Sequence, residues 1–156
     1  MKLSIIVGLA LVLLISLLIK REKRNLLENL FIMMIAEFLV TGYIGVFYIN
    51  LEIWSVADRI DLFIIFRFYE VIIVPFIWFW YVNLLQNVEA LGLKVLLSCV
   101  FVAIQSGVEQ WMGVWKVILY QDWQLWQTVL LQIMMLLILH MGLHWYRSIL
   151  RKEGIW

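Results

Sequence analysis

The sequence predicts an all-α integral membrane bundle of five transmembrane helices, and three observations carry that reading. Hydrophobic residues make up 65% of the chain and charged residues only 15%, against roughly 45–50% and 25% in ordinary soluble domains. The mean hydropathy is +0.99, so polar groups are too few to coat a water-facing surface. The apolar residues also fall into long runs, near the ~20 that a helix needs to cross a hydrocarbon core about 30 Å thick. These runs lack the alternating polarity of membrane-barrel strands. At 156 residues the chain is read as a single transmembrane domain, 1–156.

The first span is expected at about 3–19, "LSIIVGLALVLLISLLI". Lys2 and this run resemble the start of a signal peptide. However, "SLLIKREKR" offers no small-residue cleavage site, and more charge follows the run than precedes it, so a retained helix is expected. With Ser4, Gly8 and Ser16 as its few small or weakly polar residues, it suits the lipid-facing rim of the bundle. The second span is placed at about 29–49, the third at 62–85, the fourth at 95–111 and the fifth at 123–146. Short connections favour antiparallel neighbours, and no repeat or low-complexity tract interrupts them.

Orientation follows the basic residues. Lys20, Arg21, Lys23 and Arg24 follow span one, and Arg147, Arg151 and Lys152 follow span five. Basic loops stay on the cytoplasmic side. Four spans separate the two clusters, so both face inward if the N-terminus is outside and the C-terminus cytoplasmic. Aromatic residues fit interfacial belts: Trp54, Trp111, Trp115, Trp123 and Trp126 at the outer ends, with Trp80, Tyr81, Trp145 and Tyr146 at the inner ends. These features place the protein in a membrane, with the lipid bilayer as its first partner.

Other classes fall away. A net charge of +1 offers no basic footprint for nucleic acid. The single cysteine, Cys99, rules out an internal disulfide framework and is read as a small buried hydrophobe. His140 and His144 stand four apart, but Met141 occupies the place where the two-histidine zinc-protease motif needs glutamate. No nucleophile elbow or phosphate-cradling glycine loop is present. No metal, cofactor or catalytic residue is therefore expected, and the chain is read as a non-enzyme.

The informative residues are polar ones inside the spans. Glu37 and Thr41 share a face of span two. Arg67 and Glu70 lie one turn apart in span three, within "FRFYEVIIVPFIWFWY". Ser98, Gln105 and Glu109 form a stripe on span four. Gln124, Thr128 and Gln132 form another on span five, with His140 and His144 further along. Charges at a helix centre cost ~2.5–3.5 kcal/mol each on the insertion scale, so span three is marginal alone and needs neighbours that answer Arg67 and Glu70. Depth along the helices makes an Arg67–Glu109 contact the expected answer, with Glu70 as a second partner. Glu37 is expected to be neutral and hydrogen-bonded, because a low dielectric penalises its charged form. The expected intramembrane polar site is thus Glu37, Arg67, Glu70, Gln105 and Glu109, with Thr41, Gln132, His140 and His144 as secondary members.

The C-terminal half resembles a family of small, uncharacterised multi-span membrane proteins from endospore-forming bacteria. The likeness rests on the aromatic run after proline (Pro75 to Trp80), Glu109-x-Trp111, and Trp123-x-x-Trp126 opening the last span. The resemblance implies a cell-membrane location and a setting in sporulation or envelope maintenance, and supplies no activity or cofactor. Together these readings give the expectation of a non-enzymatic membrane component acting through other membrane proteins or a homo-oligomer. The alternative is a carrier or channel for a proton, ion or small solute along the polar residues.

Overall fold

The computed structural model describes residues 2–19 and 26–153. The basic loop of Lys20, Arg21, Lys23 and Arg24 lies outside the described residues. The chain is 83% helical and all-α, with five helices, four of them long and apolar enough to cross a membrane. In order these are α1 (Lys2–Ile19), α2 (Leu26–Ile44, prolonged by π-helical turns over Gly45–Asn50), α3 (Ile60–Gln86), α4 (Leu91–Val114) and α5 (Leu125–Lys152). The apolar run of α1, Lys2–Ser16, is shorter than the other four.

Helix ends differ from those read in the sequence, for local reasons. α4 starts at Leu91 rather than 95, because Lys94 donates its backbone N–H to Ala90 in the first turn. Its long side chain can reach outward from inside the helix. α5 starts at Leu125, where a capping box pairs Gln124 with Gln127. It runs on to Lys152, past the 146 expected, since Arg151 and Lys152 suit the negative end of the helix dipole.

α3 is the hub. Its first half meets α1, its middle and second half meet α2, and its second half meets α4. α5 closes the bundle against α2 and α4. The middle of α3 widens into a π-helical turn, Tyr69–Ile73, just before Pro75. Proline lacks a backbone N–H and crowds the carbonyl four residues back, and a wider turn relieves that conflict. α1 buries Ile6 and Ala10 and leaves Ile5, Leu9, Leu11 and Val12 exposed. The exterior of the longer helices is equally apolar, as at Phe38 (75% exposed) and Met141 (72%). Apolar surface on this scale matches a hydrocarbon solvent better than water.

Two loops at one end of the bundle pair as a short antiparallel ribbon that the sequence reading did not contain. β1 (Trp54–Val56) and β2 (Ile118–Tyr120) align Trp54 with Tyr120 and Val56 with Ile118. Aromatic and β-branched residues favour this pleated pairing. Trp54 consequently leaves the interfacial belt: it is 2% exposed and packs edge-on against Tyr43, Tyr120 and Trp123. Cys99 is also corrected, because it lies exposed on α4 rather than buried.

Candidate functional site

The interior beneath the ribbon holds one acidic side chain, Glu109, at 0% exposure. α4 turns it inward on the same stripe as Gln105, and α5 supplies Thr128 and Gln132 one turn apart to face it. The Thr128 hydroxyl donates to Glu109 Oε1 (3.1 Å) and Gln132 Nε2 donates to Oε2 (3.2 Å). Trp123 Nε1 donates to Thr128 Oγ1 at 2.8 Å, holding that hydroxyl beside the carboxyl. The Tyr120 hydroxyl donates to the Glu109 backbone carbonyl (3.1 Å), tying the ribbon to the helix below. Burial raises the pKa of the Tyr120 phenol above its ordinary value, and the nearby Glu109 charge adds to the effect. Among the described residues no cationic group stands within ion-pair distance of Glu109.

Around this acid lie polar atoms that no group satisfies among the described residues. They include both amide atoms of Gln105, the Ser106 hydroxyl and Gln132 Oε1. The Tyr43 and Tyr69 hydroxyls, adjacent to one another, also lack a hydrogen bond of good geometry. Buried polar groups are satisfied in the great majority of cases, so such a cluster requires a physical reason.

Arg67 does not reach Glu109. It pairs instead with Glu70 on its own helix, Nη1 to Oε2 at 2.6 Å, one turn away. Depth in the sequence reading fixed how far along α3 Arg67 lies, not which way it points. The Glu70 side chain is 2% exposed, whereas Arg67 is 55% exposed and leans over the Phe63 ring. Glu37 sits close enough to Glu70 to feel its charge, and the Thr41 hydroxyl donates to Glu37 at 3.5 Å. Thr41 is exposed, because α2 buries Ile32, Ala36 and Val40 instead. The expected single site therefore divides in two: Gln105, Glu109 and Gln132 inside, and Glu37, Thr41 and Arg67 at the surface beside the buried Glu70.

His140 and His144 join neither group. His140 bonds to the Leu136 carbonyl through Nδ1 (3.0 Å) and touches Tyr81 edge-on, and His144 is exposed. Among the described residues no three metal-ligating side chains gather. Glu28, which the sequence reading passed over, is 0% exposed at the end opposite the ribbon. Arg147 donates to its Oε1 from Nε (2.8 Å) and Nη2 (2.6 Å), and Gln86 donates to the same oxygen (3.2 Å). The signal was available: Glu28 opens span two on the side where the basic tail of span five ends. No protein-family model matches this sequence, and no curated protein or solved structure resembles it.

Proposed function

We propose that the chain is a non-enzymatic multi-pass component of a bacterial cytoplasmic membrane that acts by docking a membrane partner on its α2–α3 face. The supporting observation is the strip of Thr41, Glu37 and the Arg67–Glu70 pair on that face. Arg67 lies about 10 Å along α3 from Ile60, at 1.5 Å per residue. In this reading all five helices cross the bilayer, with the ribbon outside and Arg147, Arg151 and Lys152 at the cytoplasmic end. A half-exposed arginine and a partly exposed carboxylate at that depth cost energy while they face lipid, and gain it against a polar helix. A second copy of the chain satisfies the requirement by symmetry, since Glu37 of each copy can meet Arg67 of the other. The setting in sporulation or envelope maintenance follows from the resemblance of the C-terminal half to proteins of endospore-forming bacteria.

A photoreactive side chain placed at Phe38, which is exposed beside the strip, tests this in native membranes. A discrete protein adduct that disappears in E37L/R67L is expected. Adducts to lipid alone defeat the proposal.

A second reading, a carrier or channel for a proton, ion or small solute, draws on the unsatisfied interior atoms near Glu109. In liposomes loaded with a pH-sensitive dye it requires a flux that Glu109→Gln abolishes. Absence of flux under every imposed gradient rejects it.

A further inference from the structure

α4 and α5 meet tightly beneath the ribbon, but a long groove of about 850 Å³ opens sideways between them towards the other end. Its walls are apolar, with Val102, Ala103, Ile133 and Leu136 among the lining residues. Its polar residues are concentrated at the far end. Lys94 lines it there, one turn inside the start of α4, with Gln86, His140 and Arg147 close by. A smaller recess of about 160 Å³ adjoins it and shares Leu85, Gln86, His140 and Arg147 with it. The groove thus has a long greasy channel and a basic, hydrogen-bonding head, which is the shape of an amphiphile.

The charges choose among amphiphiles. Arg147 is matched by Glu28, so that pair adds little net field. Lys94 makes no ion pair or side-chain hydrogen bond among the described residues, which leaves one positive charge at the rim. Gln86 and His140 add groups that can hydrogen-bond to phosphate oxygens. Basic pockets between membrane helices on the cytoplasmic side take the head groups of acidic lipids. In the orientation proposed above the basic end of the groove is cytoplasmic, where such lipids stand, and its apolar lining suits an acyl chain.

We propose that the α4–α5 groove holds an acidic phospholipid of the surrounding membrane, its phosphate against Lys94 and an acyl chain along Val102, Ile133 and Leu136. This site is separate from the α2–α3 strip and from Glu109, so it stands or falls independently of the docking role.

Native mass spectrometry of the full chain, released from micelles with equal phosphatidylglycerol and phosphatidylcholine, tests it. Retained phosphatidylglycerol adducts are expected to exceed phosphatidylcholine adducts about fivefold, the factor one lysine supplies at a membrane surface. Lys94→Gln should bring the two lipids level, while Lys94→Arg keeps the preference. Lys152→Gln, at the same end but outside the groove, should leave the preference intact. Ala103→Trp fills the channel and should reduce adducts of both lipids, with the helical circular dichroism unchanged. Equal retention of the two lipids by the unmodified chain overturns the proposal, as does a preference that survives K94Q. Replacement of lipid by a second copy of the chain in the groove, seen as dimers that A103W abolishes, overturns it too.

Discussion

Glu28 and Glu109 are both sealed inside the bundle near its opposite ends, yet among the described residues one meets an arginine and the other only neutral donors. At the far end Arg147 remains 28% exposed, so its charge keeps some contact with the surroundings while it neutralises Glu28. The pair joins the start of α2 to the last turns of α5, and Gln86 brings in the end of α3. Under the ribbon, Thr128 and Gln132 offer Glu109 two hydrogen bonds with no charge behind them. The first arrangement answers a carboxylate with an opposite charge. The second has room for a carboxylic acid as well as a carboxylate, because the Thr128 hydroxyl can accept a hydrogen bond from the acid as well as donate one. One end is therefore a clamp, and the other is a site whose partners do not depend on its charge.

The largest effect expected from this contrast is at the clamp. Arg147→Ala takes the guanidinium away from the buried Glu28, which costs about 3–5 kcal/mol. The double variant E28L/R147L should recover most of that, since apolar pairs replace buried ion pairs with little loss. Reversible unfolding in mixed micelles measures both. A small loss in R147A, or no recovery in the double variant, removes the distinction between the two ends.

Glu109 should respond to shape rather than charge. Glu109→Leu strands the Thr128 and Gln132 donors and is expected to cost about 1–3 kcal/mol. Glu109→Gln keeps an acceptor for Gln132 and a donor for Thr128, so less than about 1 kcal/mol is expected. The same unfolding measurement decides it. Equal losses in the two variants mean that the ribbon end also relies on a negative charge.

Two glycines sharpen the comparison at smaller scale. A Cβ at Gly113 would lie 2.7 Å from Tyr120 Cε2, and one at Gly142 would lie 2.6 Å from Ile35 Cδ1. The tyrosine ring is pinned by its hydrogen bond to Glu109 and its edge contact with Trp54, whereas the isoleucine methyl can swing away. Gly113→Ala should cost about 1–2 kcal/mol by overpacking, and Gly142→Ala less. Thermal unfolding of the two variants side by side checks the order.

The helices were legible because a ~20-residue apolar run is a long, redundant signal. Their ends were not, since Lys94 enters a helix without breaking it and the tail of α5 stays helical although polar. The inward stripes of Gln105 with Glu109 and of Thr128 with Gln132 were readable from steps of four. The choice of partner was not readable. Depth alone made Arg67 and Glu109 neighbours, while the one-turn spacing of Arg67 and Glu70 offered a nearer match that the structure uses. The ribbon escaped notice because three-residue strands in two distant loops carry no periodicity.

The smallest expected effect is alkaline loosening of the ribbon, and its sign follows from Tyr120. The folded state holds the phenol proton more tightly than the unfolded chain, because burial and the Glu109 charge both oppose ionisation. Below the ordinary tyrosine value of about 10 both states keep the proton, and the contribution is constant. Above it the unfolded chain ionises first and is favoured, so stability falls as pH rises. Tyr120→Phe loses the hydrogen bond to Glu109 at every pH, worth about 0.5–1.5 kcal/mol, but has no proton to release. The difference in stability between the unmodified chain and Y120F should therefore shrink between pH about 9 and about 11. A difference that stays constant across that interval means that Tyr120 ionises as freely in the folded ribbon as in the unfolded chain, and the ribbon is then no seal over Glu109.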